Sequence, residues 1–276
     1  MTHLKQVGSS TELYTRPLTR ALQANTAVRL LEDSRPRIAT LLREGELKLG
    51  LISPLDYAKE SSDYRIIPNV GVAAERSCGS LLVRFREGVK NIRSLAVDPT
   101  YASEVVLAKI ILSELFDLEP MILPMNAPVE VMLQKAEAAL LVGNAAFRAR
   151  DDSEDVIDIV EEWDEMTGLP CVFGLWCGRE PDLKPEYIEM IQHAMQKGVA
   201  GIADIAQEFL PDERAAVIDY LESFAYTLDE RATAGLGEYM KYLYYHGLLP
   251  DVAELNFYKG TAEEADDLLP KDVSPN

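Results

Sequence analysis

The sequence is poor in cysteine, in histidine and in positive charge. Its three cysteines, Cys78, Cys171 and Cys177, are an odd number without paired spacing. That excludes a disulfide framework and leads us to expect buried free thiols, since free cysteine behaves as a small hydrophobe. Adding the three histidines, His3, His193 and His246, produces no metal-ligand spacing, so neither a metal nor any other cofactor is expected. Against 46 acidic residues stand only 27 basic ones, a formal net charge of −19. Such a field repels a phosphate backbone and anionic headgroups, and no Lys/Arg cluster offsets it. Nucleic acid and membrane are therefore not expected as partners. No apolar run approaches the roughly 18–20 residues of a membrane span. The opening MTHLKQVGSS has no basic region followed by an apolar stretch, so a cytoplasmic protein is expected. Familiar catalytic signatures are missing as well: GxSxG, a phosphate loop, GxGxxG after a strand, HExxH. The acidic run Asp151–Asp155 lacks the glycine turn of a calcium loop and reads as solvated.

What is present is an ordinary globular composition, 47% hydrophobic and 26% charged over 276 residues. Short apolar runs alternate with amphipathic helical segments, the pattern of an α/β fold. Strands are expected at His3–Gly8, Leu47–Ile52, Arg65–Pro68, Arg93–Val97 and Ala138–Val142. Helices are expected from near Pro17, over Arg35–Glu44, from Pro54, and over Ser103–Phe116 and Glu130–Ala136. The C-terminal third reads as helical over Lys184–Gln196, Gly201–Phe209, Asp212–Ala225 and Leu236–His246, and the acidic tail from Thr261 as frayed. Two extended apolar runs, Ser77–Phe85 and Leu169–Cys177, read as neighbouring crossings between two lobes. The expected division is lobe I over 1–85 plus 171–276 and lobe II over 86–170, with a cleft between them.

Small polar groups fall at the expected C-terminal ends of strands, where open α/β sheets bind ligands. Ser9, Ser10 and Thr11 follow the first strand, Ser53 follows the second, and Ser80 lies in the first crossing run. Thr100 and Ser103 follow the strand ending at Val97, and Gly143-Asn144 follows Ala138–Val142. Each alone is an ordinary cap or turn. Together they form a donor set suited to a polar, oxygen-rich small molecule. On so acidic a chain an anionic ligand has to be attracted locally, by backbone N–H groups, hydroxyls or one or two arginines.

The segment Glu162-Trp163-Asp164-Glu165-Met166-Thr167-Gly168-Leu169-Pro170-Cys171-Val172-Phe173-Gly174-Leu175-Trp176 resembles the "W-x-x-x-TGLPFVFA-x-W" signature of the chorismate dehydratases of menaquinone biosynthesis. Glu44-Gly45-Glu46-Leu47 with Leu51-Ile52-Ser53, then Leu140–Ala146, and Gly247-Leu248-Leu249 extend the resemblance over nearly the whole chain. The resemblance implies a two-lobed, periplasmic-binding-protein-like (type II) α/β fold with a hinge of two crossing strands. It also implies a cofactor-free loss of water from chorismate, giving 3-[(1-carboxyvinyl)oxy]benzoate in the futalosine route. Ser80 stands where that family carries a serine of the ligand site, and is the implied catalytic donor or relay. Ser10, Tyr14, Ser53, Thr100, Ser103 and Asn144 are the corresponding candidates for ligand binding.

Several positions depart from the family pattern. In the segment similar to "Y-L-N-T-x-P", Tyr14 replaces the asparagine. In the loop opened by Asp98, Ala102 replaces an arginine and Glu104 a serine, Asn144 replaces an aspartate, and Lys48 stands where an aspartate is usual. An arginine lost and a glutamate gained are unfavourable for a dianionic ligand. Two readings therefore stand side by side: a lyase acting on chorismate, and a non-catalytic or re-specialised protein binding a small carboxylate on the same scaffold. The oligomeric state is open.

Overall fold

The computed structural model describes residues 5–149 and 155–260; the readings placed on His3, on 151–154 and on the tail from Thr261 lie outside the described residues. Strands are β1 (Lys5–Ser9), β2 (Val28–Glu32), β3 (Leu49–Ile52), β4 (Tyr64–Ala74), β5 (Leu81–Phe85), β6 (Ser94–Val97), β7 (Met121–Pro124), β8 (Ala138–Val142), β9 (Val156–Asp158) and β10 (Cys171–Arg179). Helices are α1 (Arg16–Gln23), α2 (Arg35–Glu44), α3 (Pro54–Lys59), α4 (Ala102–Phe116), α5 (Val129–Lys135), α6 (Asn144–Arg148), α7 (Ile159–Thr167), α8 (Pro185–Ala200), α9 (Ile202–Ala206), α10 (Arg214–Glu222) and α11 (Glu230–Tyr245).

The strands form two sheets of one design, in the orders β2-β1-β3-β10-β4 and β7-β6-β8-β5-β9. In each, three parallel strands are followed by an antiparallel fourth and then a fifth antiparallel to that one. The inner parallel strands β3, β6 and β8 are buried at every residue, which is why they read as unbroken apolar runs. Local signals set several boundaries. Gly45 (φ 78°) ends α2 in the left-handed conformation, and the Ser53 hydroxyl accepts the Asp56 N–H to start α3.

The missed strands have physical reasons. β2 and β7 are edge strands with mostly exposed or half-buried residues, so neither presents the apolar run of an interior strand. β9 spans only three residues. β4 runs eleven residues instead of ending at Pro68, because Asn69 adopts φ 61° beside shifts in register against β10. Such a bulge lets a strand continue past a proline.

The crossing reading needs a correction. Ser77–Phe85 is not one crossing strand: Leu81–Phe85 is β5, inside the second sheet, whereas Cys171–Arg179 belongs to the first. The expected lobe limit at residue 85 is displaced for the same reason. The outward passage is the connection 75–80, and the chain returns through α7 and the turn before Cys171. The two passages touch. Ala74 pairs with Cys171, and Asp158 Oδ2 accepts from the Ser77 hydroxyl (2.7 Å) and the Gly79 N–H (2.9 Å). Asp158 Oδ1 also caps α7 through the Val160 N–H. An apolar reading could not separate strand from connection here, because Cys78 and Ser80 are as buried as the strand they precede.

Asp158 thus ties three donors at the junction of the passages. We expect Asp158→Ala to lower the unfolding free energy by about 2–3 kcal/mol in urea titration, since several donors lose one acceptor. A loss below about 0.5 kcal/mol would mean that water replaces the carboxylate and the junction is loose.

Candidate functional site

In both sheets the strand order reverses between neighbouring parallel strands, at β1/β3 and at β6/β8, and the loops at the C-terminal ends of these strands are the place for a ligand. The structure brings those loops together across the lobes. Glu12, from the loop after β1, is buried; its Oε1 accepts the Tyr101 hydroxyl (2.6 Å) and its Oε2 the Asn144 N–H (2.7 Å). Asn144 answers from the β8 loop. Its Oδ1 accepts the Leu13 N–H (2.8 Å), and its amide donates to the Thr11 carbonyl (3.3 Å). Gly143 has φ 56°, and a Cβ added there would collide with the Glu12 carboxylate, so the backbone approach depends on glycine.

A second link is ionic. Arg35, at the start of α2, donates through Nη1 to Glu104 Oε1 of α4, and both side chains are buried, 8% and 5% exposed. The Arg35 guanidinium lies 5.6 Å from the ring centres of both Tyr14 and Tyr101. Burial works against the Arg35 charge, yet the carboxylates of Glu104 and Glu12 outweigh it and raise its pKa. Burial raises Glu104 above the ordinary glutamate value, with Arg35 pulling the other way. Burial also raises the Tyr101 hydroxyl, with Glu12 adding to the shift.

This ion pair corrects one expectation. Glu104 is not an uncompensated anion facing a ligand, because the cation missing at Ala102 is supplied from the other lobe by Arg35. Position 102 itself is exposed.

Ser10, Tyr14 and Ser53 share one small cavity with Arg35 and Phe173; Ser103 and Glu104 share another with Tyr239 and Phe173. The two measure about 10 and 20 Å³. A water needs about 10–15 Å³, so each holds no more than about one water and the cleft is shut. The Tyr14 ring helps to shut it, lying 5.5 Å from Phe173 and 5.1 Å from Phe224. Ser53 is occupied as a cap, its hydroxyl donating to Asp56 Oδ2 (2.6 Å). Ser103 meets the Tyr239 hydroxyl at 3.4 Å.

Two expected site residues fall elsewhere. Thr100 is exposed and gives its N–H and hydroxyl to Asp98, a local cap outside the seam. Ser80 is fully buried, and its hydroxyl lies 2.9 Å from that of Tyr220. Its carbonyl accepts the Gly143 N–H at 2.8 Å, so it touches the seam through its backbone. The Tyr220 ring continues through Phe224 to Tyr14.

Sequence reasoning missed Glu12, Arg35 and Tyr101. One signal was available for Arg35: a cation opening a helix opposes the helix dipole, so its place there needs another reason.

The thiols lie within this framework without joining its chemistry. Cys78, Cys171 and Cys177 form no disulfide and are buried, and burial pushes Cys171 and Cys177 far above the usual thiol range. Iodoacetamide at pH 8 is expected to leave both unlabelled in native protein and to label both after unfolding, as read by mass spectrometry. Rapid native labelling of either would show that the lobes part widely in solution. Among the described residues no group of three or more His, Cys, Asp and Glu side chains is placed to hold a metal ion, and no helix is long and apolar enough to cross a membrane.

Comparison with known proteins agrees with this architecture. The sequence profile of a family described as "Menaquinone biosynthesis" matches residues 5–245. A chorismate dehydratase of Thermus thermophilus is 24% identical over 229 residues, covering 75% of this chain and 84% of that protein. Among solved structures, protein AF1704 of Archaeoglobus fulgidus superposes with a TM-score of 0.68 at 20% identity, covering 88% of this chain and 98% of that one. The periplasmic aliphatic sulphonate binding protein of Escherichia coli superposes with a TM-score of 0.63 at 14% identity, covering 98% and 95%. At these identities the structures show the fold: two-lobed and periplasmic-binding-protein-like.

Proposed function

The chain belongs to the menaquinone biosynthesis family, and from that premise we propose that it is a chorismate dehydratase-like lyase whose substrate enters the seam between the lobes. The observation that carries this reading is Arg35. On a chain of net charge −19, a buried guanidinium stands at the strand ends of both lobes, flanked by two tyrosine rings. Among the described residues it makes a single hydrogen bond, to Glu104. A guanidinium has five N–H donors, so four remain for a carboxylate.

The reaction removes a ring proton and a hydroxide from chorismate, and leaves an aromatic ring with water as the second product. A seam that closes again around the substrate excludes bulk solvent during that step. Arg35 orients and neutralises a substrate carboxylate, and the substrate's own carboxylate serves as the base. Entry requires the lobes to part, and the Glu12 contacts with Tyr101 and Asn144 break as they do. Three buried cysteines with no disulfide among them suit a reducing, cytoplasmic compartment.

A second reading has its own observation. Tyr14 fills the position of the family's asparagine, and the protein's own carboxylates, Glu12 and Glu104, already engage the donors of the seam. That arrangement suits a re-specialised protein that binds a small carboxylate without turnover.

One assay separates the two. Pure protein is mixed with chorismate and followed by ultraviolet absorbance and product chromatography. Loss of the chorismate band with formation of 3-[(1-carboxyvinyl)oxy]benzoate supports the lyase. Binding by calorimetry without product overturns the lyase in favour of the binder.

A further inference from the structure

Two buried oxygens at the seam have no hydrogen-bond partner: the Tyr14 hydroxyl and Glu104 Oε2. Each lines its own cavity, Tyr14 beside Arg35 and Glu104 beside Ser103, with Phe173 common to both. A buried ion pair kept only to join two lobes is stable when its remaining lone pairs and protons are also satisfied. The Arg35–Glu104 pair does not meet that condition: Glu104 Oε2 is buried without a partner, and among the described residues Arg35 makes no hydrogen bond besides the one to Glu104.

We infer that Arg35 and Glu104 act together as the specificity determinant of the cleft, selecting a carboxylate that carries a hydrogen-bond donor, a hydroxyl or an ammonium, beside it. Arg35 takes the ligand carboxylate through the N–H groups that Glu104 leaves unused. Glu104 Oε2 accepts from the ligand's donor, and the Tyr14 hydroxyl is positioned to donate to the carboxylate. The ligand then spans the two cavities, which join when the lobes part around Phe173. Holding Glu104 against Arg35 keeps the carboxylate from repelling an anion outright. A ligand with the carboxylate alone leaves Glu104 Oε2 buried without a partner, and that mismatch is the source of discrimination. The inference rests on the reading of the seam as a small-carboxylate site, but not on dehydration.

The test uses matched compounds. One set shares a skeleton and differs only beside the carboxylate: 3-phenyllactate (hydroxyl), phenylalanine (ammonium) and 3-phenylpropanoate (neither). The second set, chorismate and 3-[(1-carboxyvinyl)oxy]benzoate, differs both in the ring hydroxyl, which lies across the ring from the ring carboxylate, and in the aromatic ring, so it reads only whether the proposed substrate and product bind. Affinities are read by calorimetry on the full-length protein, and the first set tells hydroxyl from ammonium. In the phenyl set a donor-bearing member is expected to bind about ten-fold or more tighter than 3-phenylpropanoate. Glu104→Gln, which keeps the shape, is expected to reduce that preference to about three-fold or less. Arg35→Gln combined with Glu104→Gln avoids a lone buried charge and is expected to weaken every member about 30-fold or more.

Equal affinities within the phenyl set overturn the inference. So does a preference that survives Glu104→Gln, or no binding in the phenyl set, and the pair is then a structural link closed over a water. If chorismate is ignored while the phenyl set behaves as described, the dehydratase reading falls and the specificity pair stands.

Discussion

Glu104→Ala is expected to lower the unfolding free energy by about 3–5 kcal/mol, because it leaves the Arg35 guanidinium buried with no carboxylate. The loss belongs to the pair and not to the side chain alone. Replacing both partners by apolar groups of similar length, Arg35→Met with Glu104→Leu, removes the two desolvation costs together. That double variant is expected to lie within about 1–2 kcal/mol of the wild type, so the single losses will be strongly non-additive. Urea titrations of the two single variants and the double one complete the cycle. A Glu104→Ala protein within about 1 kcal/mol of the wild type would show that the seam is open and hydrated in solution. The same measurement therefore reports on closure as well as on stability.

Tyr14 gives the second large effect, and its two halves are expected to act in opposite directions. The ring is 1% exposed, packs on Phe173 and Phe224, and lies beneath Arg35. Tyr14→Ala empties that space and is expected to cost about 3–5 kcal/mol. The hydroxyl, in contrast, is buried without a partner. Tyr14→Phe is therefore expected to keep or raise stability, by up to about 1 kcal/mol, while weakening the binding of a carboxylate ligand about five- to ten-fold. Greater stability with poorer binding is the behaviour of a group retained for its ligand. If Tyr14→Phe loses more than about 1 kcal/mol and binds as before, the hydroxyl has a structural partner and no part in recognition. The Asp158 junction and the buried thiols are independent checks, since they report on the passages and on opening without involving the polar groups of the seam.

The alternation of apolar runs and helical stripes determined, by itself, the α/β class and the places of most elements. α2 begins and ends at Arg35 and Glu44, as its spacing and the following glycine require, and Ser53 caps α3 as its hydroxyl allows. These features are local: a cap, a turn or a buried strand is decided by residues within a few positions of one another. The signature around Trp163 was equally legible. Its physical meaning is the return passage, where Trp163 Nε1 donates to the Pro170 carbonyl and Gly168 turns the chain. The small polar residues at strand ends were chosen for a general reason, that parallel strands in α/β sheets end where ligands bind; Ser10 and Ser53 line one small cavity, Ser103 lines another, and Asn144 bonds to Leu13.

Only the tertiary structure decided the rest. Edge strands β2 and β7 exist because a neighbour pairs with them, and little in their own residues announces it. The assignment of Leu81–Phe85 to the second sheet follows from its pairing with β8 and β9 and not from its composition. The polar heart of the seam was least legible of all. Arg35 meets Glu104 across 69 positions of chain, and Glu12 meets the Asn144 N–H across 132. A charge read in sequence is solvated by default, and only folding takes Arg35, Glu104 and Glu12 out of water. It is their removal from solvent that turns a glutamate noted only as a departure from the family pattern, and an arginine not noted as a site residue, into a buried ion pair.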